Sequence, residues 1–176
     1  SNAATTLIML NKLWDLQLST AKLAEIGLTL GADVPVFVWH ASRSQQGEGW
    51  WAEGIGEQLQ PIALPECWYV VITPPCAVST QKIFSHSELT RATPPITIGA
   101  FLKGDVHNDC EPLVCKLYPE IARVINWLNQ FSPTGRARLT GTGSSVFSAF
   151  DSETAARACL AQILPAWRGF VATSLR

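Results

Sequence analysis

Leu7, Leu10, Leu13 and Trp14 recur at helical spacing, so the first stretch of the chain reads as a helix starting at residue 1. No capping residue precedes it, and such a helix reads as cut. Ser19 is placed to cap a second helix through Ile26, with Gly27 standing where a C-terminal glycine is expected. Gly31 to Val38 reads as a turn feeding a short apolar helix, because Asp33 can cap it and Pro35 is acceptable in the first turn. Beyond a polar, glycine-containing stretch over 40–49, Trp50 to Glu53 and Gln58 to Ile62 predict a hairpin turning at Gly54-Ile55-Gly56.

The pattern changes at Trp68, where Trp68 to Thr73 reads as an apolar strand. Ser79 can cap a short helix containing Phe84, and Thr90 to Pro95 is a proline-rich loop. Asp109 can cap a helix through Leu117, and Pro119 opens another that carries Ile121, Val124, Ile125 and Leu128 on one face. Arg136 to Thr140 and Val146 to Phe150 are predicted strands flanking Gly141-Thr142-Gly143. Asp151 is placed to cap a helix over 152–163, and Gly169 to Thr173 supplies a last strand. From residue 68 onward the order is therefore β-α-β-β-α-β, the split ferredoxin-like unit with helices on one face of an antiparallel sheet. The fold class is α+β, with the chain dividing into residues 1–66 and 67–176.

Composition narrows the function classes. The chain has 176 residues, 47% of them hydrophobic, enough for one domain or a small domain plus part of another. Thirteen basic against fourteen acidic residues, with no basic run, argue against a nucleic-acid partner. Apolar runs such as Trp68-Tyr69-Val70-Val71-Ile72 fall far short of the roughly 20 residues that cross a bilayer, and the start lacks the charged and apolar regions of a secretory signal. No membrane role and a cytoplasmic location are the expectations. Cys67, Cys76, Cys110, Cys115 and Cys159 are odd in number with no C-x-x-C pair, so they read as reduced, mostly buried thiols. His40, His86 and His107 lack ligand spacing, and no protein-held metal site is expected.

Three stretches could carry chemistry. Asp33, after two small residues and before an apolar helix, is by itself a helix cap or a carboxylate able to take or orient a hydroxyl proton. In Gly141-Thr142-Gly143-Ser144-Ser145 the glycines permit close backbone approach and the hydroxyls can bond phosphate oxygens, although a hairpin turn accounts for them equally well. Ser1-Asn2-Ala3-Ala4 places small residues at a helix N-terminus, where free N–H groups favour an anion. Ser-Asn-Ala is also the remnant left by tag cleavage, and both readings stay open.

Together with Leu30-Gly31-Ala32-Asp33-Val34-Pro35-Val36-Phe37, Ala52-Glu53-Gly54-Ile55-Gly56-Glu57, Asn108-Asp109-Cys110-Glu111 and Leu139-Thr140-Gly141-Thr142-Gly143, this order of motifs resembles the GHMP superfamily of small-molecule kinases. The closest likeness is to members acting on a cytidine diphosphate conjugate of methylerythritol in isoprenoid precursor synthesis. The resemblance implies ATP as phosphate donor with Mg2+, and transfer to a hydroxyl of the methylerythritol part. It implies Asp33 as the catalytic residue, Ser1 and Asn2 at the end of the ATP loop, and Thr80, Phe84, Gly141, Thr142 and Gly143 as substrate contacts. Phe84 would stack on cytosine, or else lie in the core as part of a buried helix face. Residues 1–66 would then be a remnant of the N-terminal ATP-binding domain and 67–176 the C-terminal ferredoxin-like domain.

The chain departs from that family's pattern in several places. The Pro-x-Ala-Lys-Leu-Asn strand and the glycine-rich phosphate loop before Ser-Asn-Ala-Ala are not in the sequence, His40 to Trp51 is longer than usual, Gln81 stands where relatives often have proline, and Phe170 to Arg176 diverges. Leu7, Leu10 and Trp14 are expected to lie open and to promote self-association. A non-enzymatic ligand-binding module and an inactive kinase paralogue remain the competing readings. Lacking the lysine and the phosphate loop, the 176-residue chain alone is expected to give no turnover in a coupled ADP-release assay; normal turnover would overturn that expectation.

Overall fold

The computed structural model describes residues 1–42, 48–54, 56, 58–133 and 136–174. Ile55 and Glu57 of the hairpin turn, residues 43–47 of the long connection and the last two residues of the divergent tail lie outside the described residues. The chain separates into two compact units, 1–65 and 66–174 among the described residues.

In the first unit, α1 (Asn2–Leu13), α2 (Thr20–Leu30) and α3 (Val34–Ser42) pack around Ala4, Leu23, Ala24, Val34 and Val38. Ser19 caps α2 as expected, accepting the Lys22 N–H. The link between α1 and α2 is closed by a reciprocal pair, with Asn11 Nδ2 donating to Leu18 O at 3.1 Å and Leu18 N donating to Asn11 Oδ1 at 3.0 Å. Gly27 does not end α2 as its spacing predicts. The helix runs on to Leu30, and Gly27 is buried inside it because a Cβ there would stand 2.8 Å from Val34 Cγ1. Helix α3 thus packs too close to α2 for any side chain at that position. Leu7 packs on this core and Leu10 is half-buried, contrary to expectation, whereas Trp14 is 61% exposed. Strands β1 (Glu48–Glu53) and β2 (Gln58–Ala63) pair antiparallel from Glu53↔Gln58 outward, the predicted hairpin.

The second unit is a four-stranded antiparallel sheet in the order β4-β5-β3-β6, built from β3 (Trp68–Thr73), β4 (Arg138–Leu139), β5 (Val146–Phe150) and β6 (Arg168–Thr173). Between them run α4 (Thr80–Phe84), α5 (Ile98–Leu102), α6 (Cys110–Leu117), α7 (Pro119–Asn129) and α8 (Glu153–Leu160). This is the anticipated β-α-β-β-α-β order with two short helices added after β3. Helix α5 lies just beyond the predicted proline-rich loop of Thr90 to Pro95, in a stretch for which the sequence pattern gives no element; Thr97 caps it through the Ala100 N–H.

Alternation along the strands puts Val70 and Ile72 of β3 and Val146, Ser148 and Phe150 of β5 on one face, in register as Val70↔Ser148 and Ile72↔Val146. Against them lies the α7 stripe of Ile121, Val124, Ile125 and Leu128. Each such side chain taken from water contributes about 1.5–3 kcal/mol. Ser148, the polar member, satisfies its hydroxyl on Ser132 Oγ at 2.7 Å. The helical crossover breaks at Tyr118, and Pro119 opens α7 where its missing N–H is not needed.

Two predicted caps are replaced by neighbours. Asp109 makes no capping bond to α6; Asn108 Oδ1 accepts from Cys110 N at 2.9 Å, while Asp109 Oδ1 accepts from Thr93 Oγ1 at 2.8 Å. Helix α8 is capped by Ser152, whose Oγ accepts the Ala155 N–H, one residue beyond Asp151. Cys110 and Cys159 are buried and the other thiols half-buried, with no disulfide among the described residues. Burial pushes the Cys159 thiol up to about 11. Truncating Leu128, fully enclosed between α7 and the sheet, to alanine is expected to cost about 2–5 kcal/mol, read as a lowered midpoint in urea denaturation.

Candidate active site

Asp33 immediately precedes α3, as the first-turn position of a cap requires, yet its carboxylate makes no hydrogen bond or ion pair among the described residues. The turn around it is closed by the backbone instead, Val34 N donating to Gly31 O at 3.1 Å. The capping role read from the sequence is therefore not played. The residue is exposed.

The neighbour of Asp33 is the β1–β2 turn. Gly56 has φ +114°, and a Cβ there would stand 2.9 Å from Ala32 O and 4.0 Å from Asp33 Oδ1. Only glycine combines that backbone conformation with so close an approach. The turn thus backs the Ala32–Asp33 peptide, which ties two motifs that are separate in sequence to one place. Ser1 stands at the N-cap position of α1 without a side-chain capping bond of its own, and Ser1 and Asn2 are exposed.

In the second unit the remaining candidates converge. Ser79 caps α4 through the Lys82 N–H, and α4 presents its two apolar residues differently. Ile83 is fully buried, whereas Phe84 is 58% exposed, which removes the reading of Phe84 as core. Arg91 fixes the chain after α4 by donating from Nη2 to Phe84 O at 2.7 Å and to His86 O at 3.0 Å. Thr80 Oγ1 and Thr142 Oγ1 share a hydrogen bond of 2.9 Å that joins α4 to the glycine loop. Thr142 is buried and braces the loop, while Gly141 is exposed and an added Cβ would meet nothing within 4 Å. Gly143, at φ +92°, turns back over Leu139, where a Cβ would come within 3.1 Å of Leu139 Cδ1.

The loop is also held from behind by residues to which the sequence reading gave no role. Asn108 Nδ2 donates to Leu139 O at 3.0 Å and to Gly141 O at 2.7 Å, and Glu111 Oε2 accepts from Leu139 N at 2.7 Å. Their partners lie about thirty positions away, so no local pattern could reveal them. Burial, followed by the charge of Asp109, raises the Cys110 thiol between them above its ordinary value, which disfavours the reactive thiolate. Among the described residues no group of three or more His, Cys, Asp or Glu could hold a metal ion, and no helix is long and apolar enough to cross a membrane.

Residues 96–167 match the family model for the C-terminal domain of GHMP kinases, and the resemblance read from the motifs is borne out in both sequence and α+β fold. The chain is 52% identical over 172 residues to 4-diphosphocytidyl-2-C-methyl-D-erythritol kinase of Nitrosococcus oceani, covering 98% of this chain and 58% of that protein. It is 49% identical over 178 residues to the protein of the same name from Hahella chejuensis, covering 99% of this chain and 57% of that one. Among solved structures, a crystal structure of 4-(cytidine 5'-diphospho)-2C-methyl-D-erythritol kinase superposes with a TM-score of 0.75 at 27% identity, covering 97% of this chain and 62% of that one. The chain thus spans somewhat over half the length of the curated relatives it matches.

Replacing Gly56 by alanine forces a left-handed conformation and a clash with Ala32 O. It is expected to destabilise the protein by roughly 1–3 kcal/mol, measured by thermal unfolding, while Gly141→Ala meets open space and is expected to cost less.

Proposed function

We propose that this protein acts as an ATP-dependent kinase that phosphorylates a methylerythritol hydroxyl of 4-diphosphocytidyl-2-C-methyl-D-erythritol, a step of isoprenoid precursor synthesis in the cytoplasm. The observation that carries this reading is the 52% identity, over 98% of the chain, to a kinase whose name states that substrate. The geometry supports it. Asp33 is exposed and has no partner among the described residues, beside a turn that leaves no room for a side chain at position 56.

In phosphoryl transfer the protein contributes mainly positioning and electrostatics. The acceptor oxygen forms a bond to the γ-phosphorus, the bond from that phosphorus to the departing ADP oxygen breaks, and the hydroxyl proton passes to Asp33. Phe84 offers an exposed ring for the cytosine face. The Gly141–Gly143 backbone offers a close approach for the diphosphate, and Ser1 and Asn2 stand at a helix start suited to ATP phosphates. Mg2+, a small hard cation bound through phosphate oxygens and one or two carboxylates, would arrive with the nucleotide.

The test uses the protein expressed from its complete reading frame, assayed with ATP and 4-diphosphocytidyl-2-C-methyl-D-erythritol. Asp33→Ala is expected to lower kcat by roughly 100-fold or more with the thermal midpoint nearly unchanged. A drop of only about threefold would return Asp33 to a local structural role.

A further inference from the structure

We infer that Asn108 is a positioning residue that holds the glycine loop in the shape that receives the phosphate acceptor. The inference rests on the kinase reading above and extends it to a residue outside the contact set named there. Strand β4 is only two residues long and meets β5 at Arg138↔Phe147 and Leu139↔Val146. So short a ladder leaves the chain entering the loop with little support of its own. The start of α6 supplies that support. Glu111 takes the N–H of Leu139 and Asn108 takes its C=O, so both backbone polar groups of one residue are held from the same helix turn. The second N–H of the Asn108 amide reaches on to Gly141 O at 2.7 Å, inside the loop itself.

The amide orientation follows from its neighbours. A backbone N–H, that of Cys110, faces one side and requires the oxygen there, while two carbonyls face the other and require the NH2 group. A residue serving only as a helix cap would use the oxygen and leave the NH2 to water. Asn108 uses both. The far side of the loop is fixed by Thr80 on Thr142 and by Thr73 on Ser145 at 2.8 Å, with Thr140 N donating to Ser145 O at 3.0 Å. The loop is therefore held at Leu139, Gly141, Thr142 and Ser145 while Gly141 faces open space. Such a backbone is ordered before ligand arrives, and the ordering cost is removed from binding. The ligand chemistry this suits is an anionic diphosphate approached by backbone N–H groups.

Two substitutions separate clamping from capping. Asn108→Ser and Asn108→Asp both keep an oxygen for the Cys110 N–H and both remove the amide NH2 that bridges Leu139 O and Gly141 O, the shorter serine hydroxyl being unable to serve both. In the protein from its complete reading frame, each is expected to raise KM for 4-diphosphocytidyl-2-C-methyl-D-erythritol by roughly 10- to 100-fold, with KM for ATP within about twofold of wild type. In the free protein, hydrogen exchange over 140–145 is expected to accelerate about tenfold or more in both variants, with core amides of α7 and β5 unchanged. Wild-type turnover with an unchanged acceptor KM in the variants would overturn this inference and leave the kinase reading standing. If the wild type shows no turnover, the kinase reading fails and exchange alone decides whether Asn108 holds the loop. Unchanged exchange overturns the clamp in either case, as does loss of folding in both variants, which would make Asn108 a purely structural residue.

Discussion

The packing of the α7 stripe on the inner face of β3 and β5 is the constraint from which the rest of the second unit follows. Ile121, Val124, Ile125 and Leu128 can leave water only if Val70, Ile72, Val146 and Phe150 face them, and a one-residue slip of either strand would turn those side chains outward. The register Ile72↔Val146 is thereby fixed. It places the end of β3 beside the start of β5, so the segment leaving β3 toward α4 and the loop entering β5 meet at one edge. The bonds Thr73–Ser145 and Thr80–Thr142 are the visible result. A hydrophobic contact on the helix side thus assembles a polar arrangement at the strand ends.

The first unit depends on close approaches at two glycines. Gly27 lets Val34 approach α2, and Gly56 lets the hairpin turn reach the carbonyl of Ala32. Between these contacts the chain at Asp33 is held through its backbone, so its side chain is spared structural duty. A carboxylate engaged as a cap would have one oxygen committed to a backbone N–H. The Gly31 carbonyl closes the turn in its place, which is the physical reason the same position can be local punctuation in the sequence and an open functional group in the fold.

The β-α-β-β-α-β order and the stripe of α7 were legible because they are periodic: apolar residues recur at 2 or at 3.6 positions, and burial acts on each element's own pattern. The kinase resemblance was legible because the motifs around Asp33, Asn108 and Gly141 stand in a recognisable order. Caps were less so. Asp109 and Asp151 were plausible, but Asn108 and Ser152 one position away took the role, since cap choice depends on backbone angles that composition does not set. Helix α5 was not read because it is only five residues long and closely follows Pro94-Pro95, and the end of α2 was misplaced because Gly27 answers to Val34 rather than to helix termination.

By itself the sequence determined the apolar stripes of the longer elements, the β-α-β-β-α-β order of the second unit, and the motifs that carry the kinase resemblance. Only the tertiary structure decided where the side chains of those motifs point. It left Asp33 without a partner among the described residues, turned Phe84 outward while burying Ile83, committed the Thr142 hydroxyl to Thr80, and brought Asn108 and Glu111 onto a loop thirty residues away. Hydrogen bonds of that reach have no period and no local signature. They exist only once the hydrophobic core has fixed the register that brings their ends together.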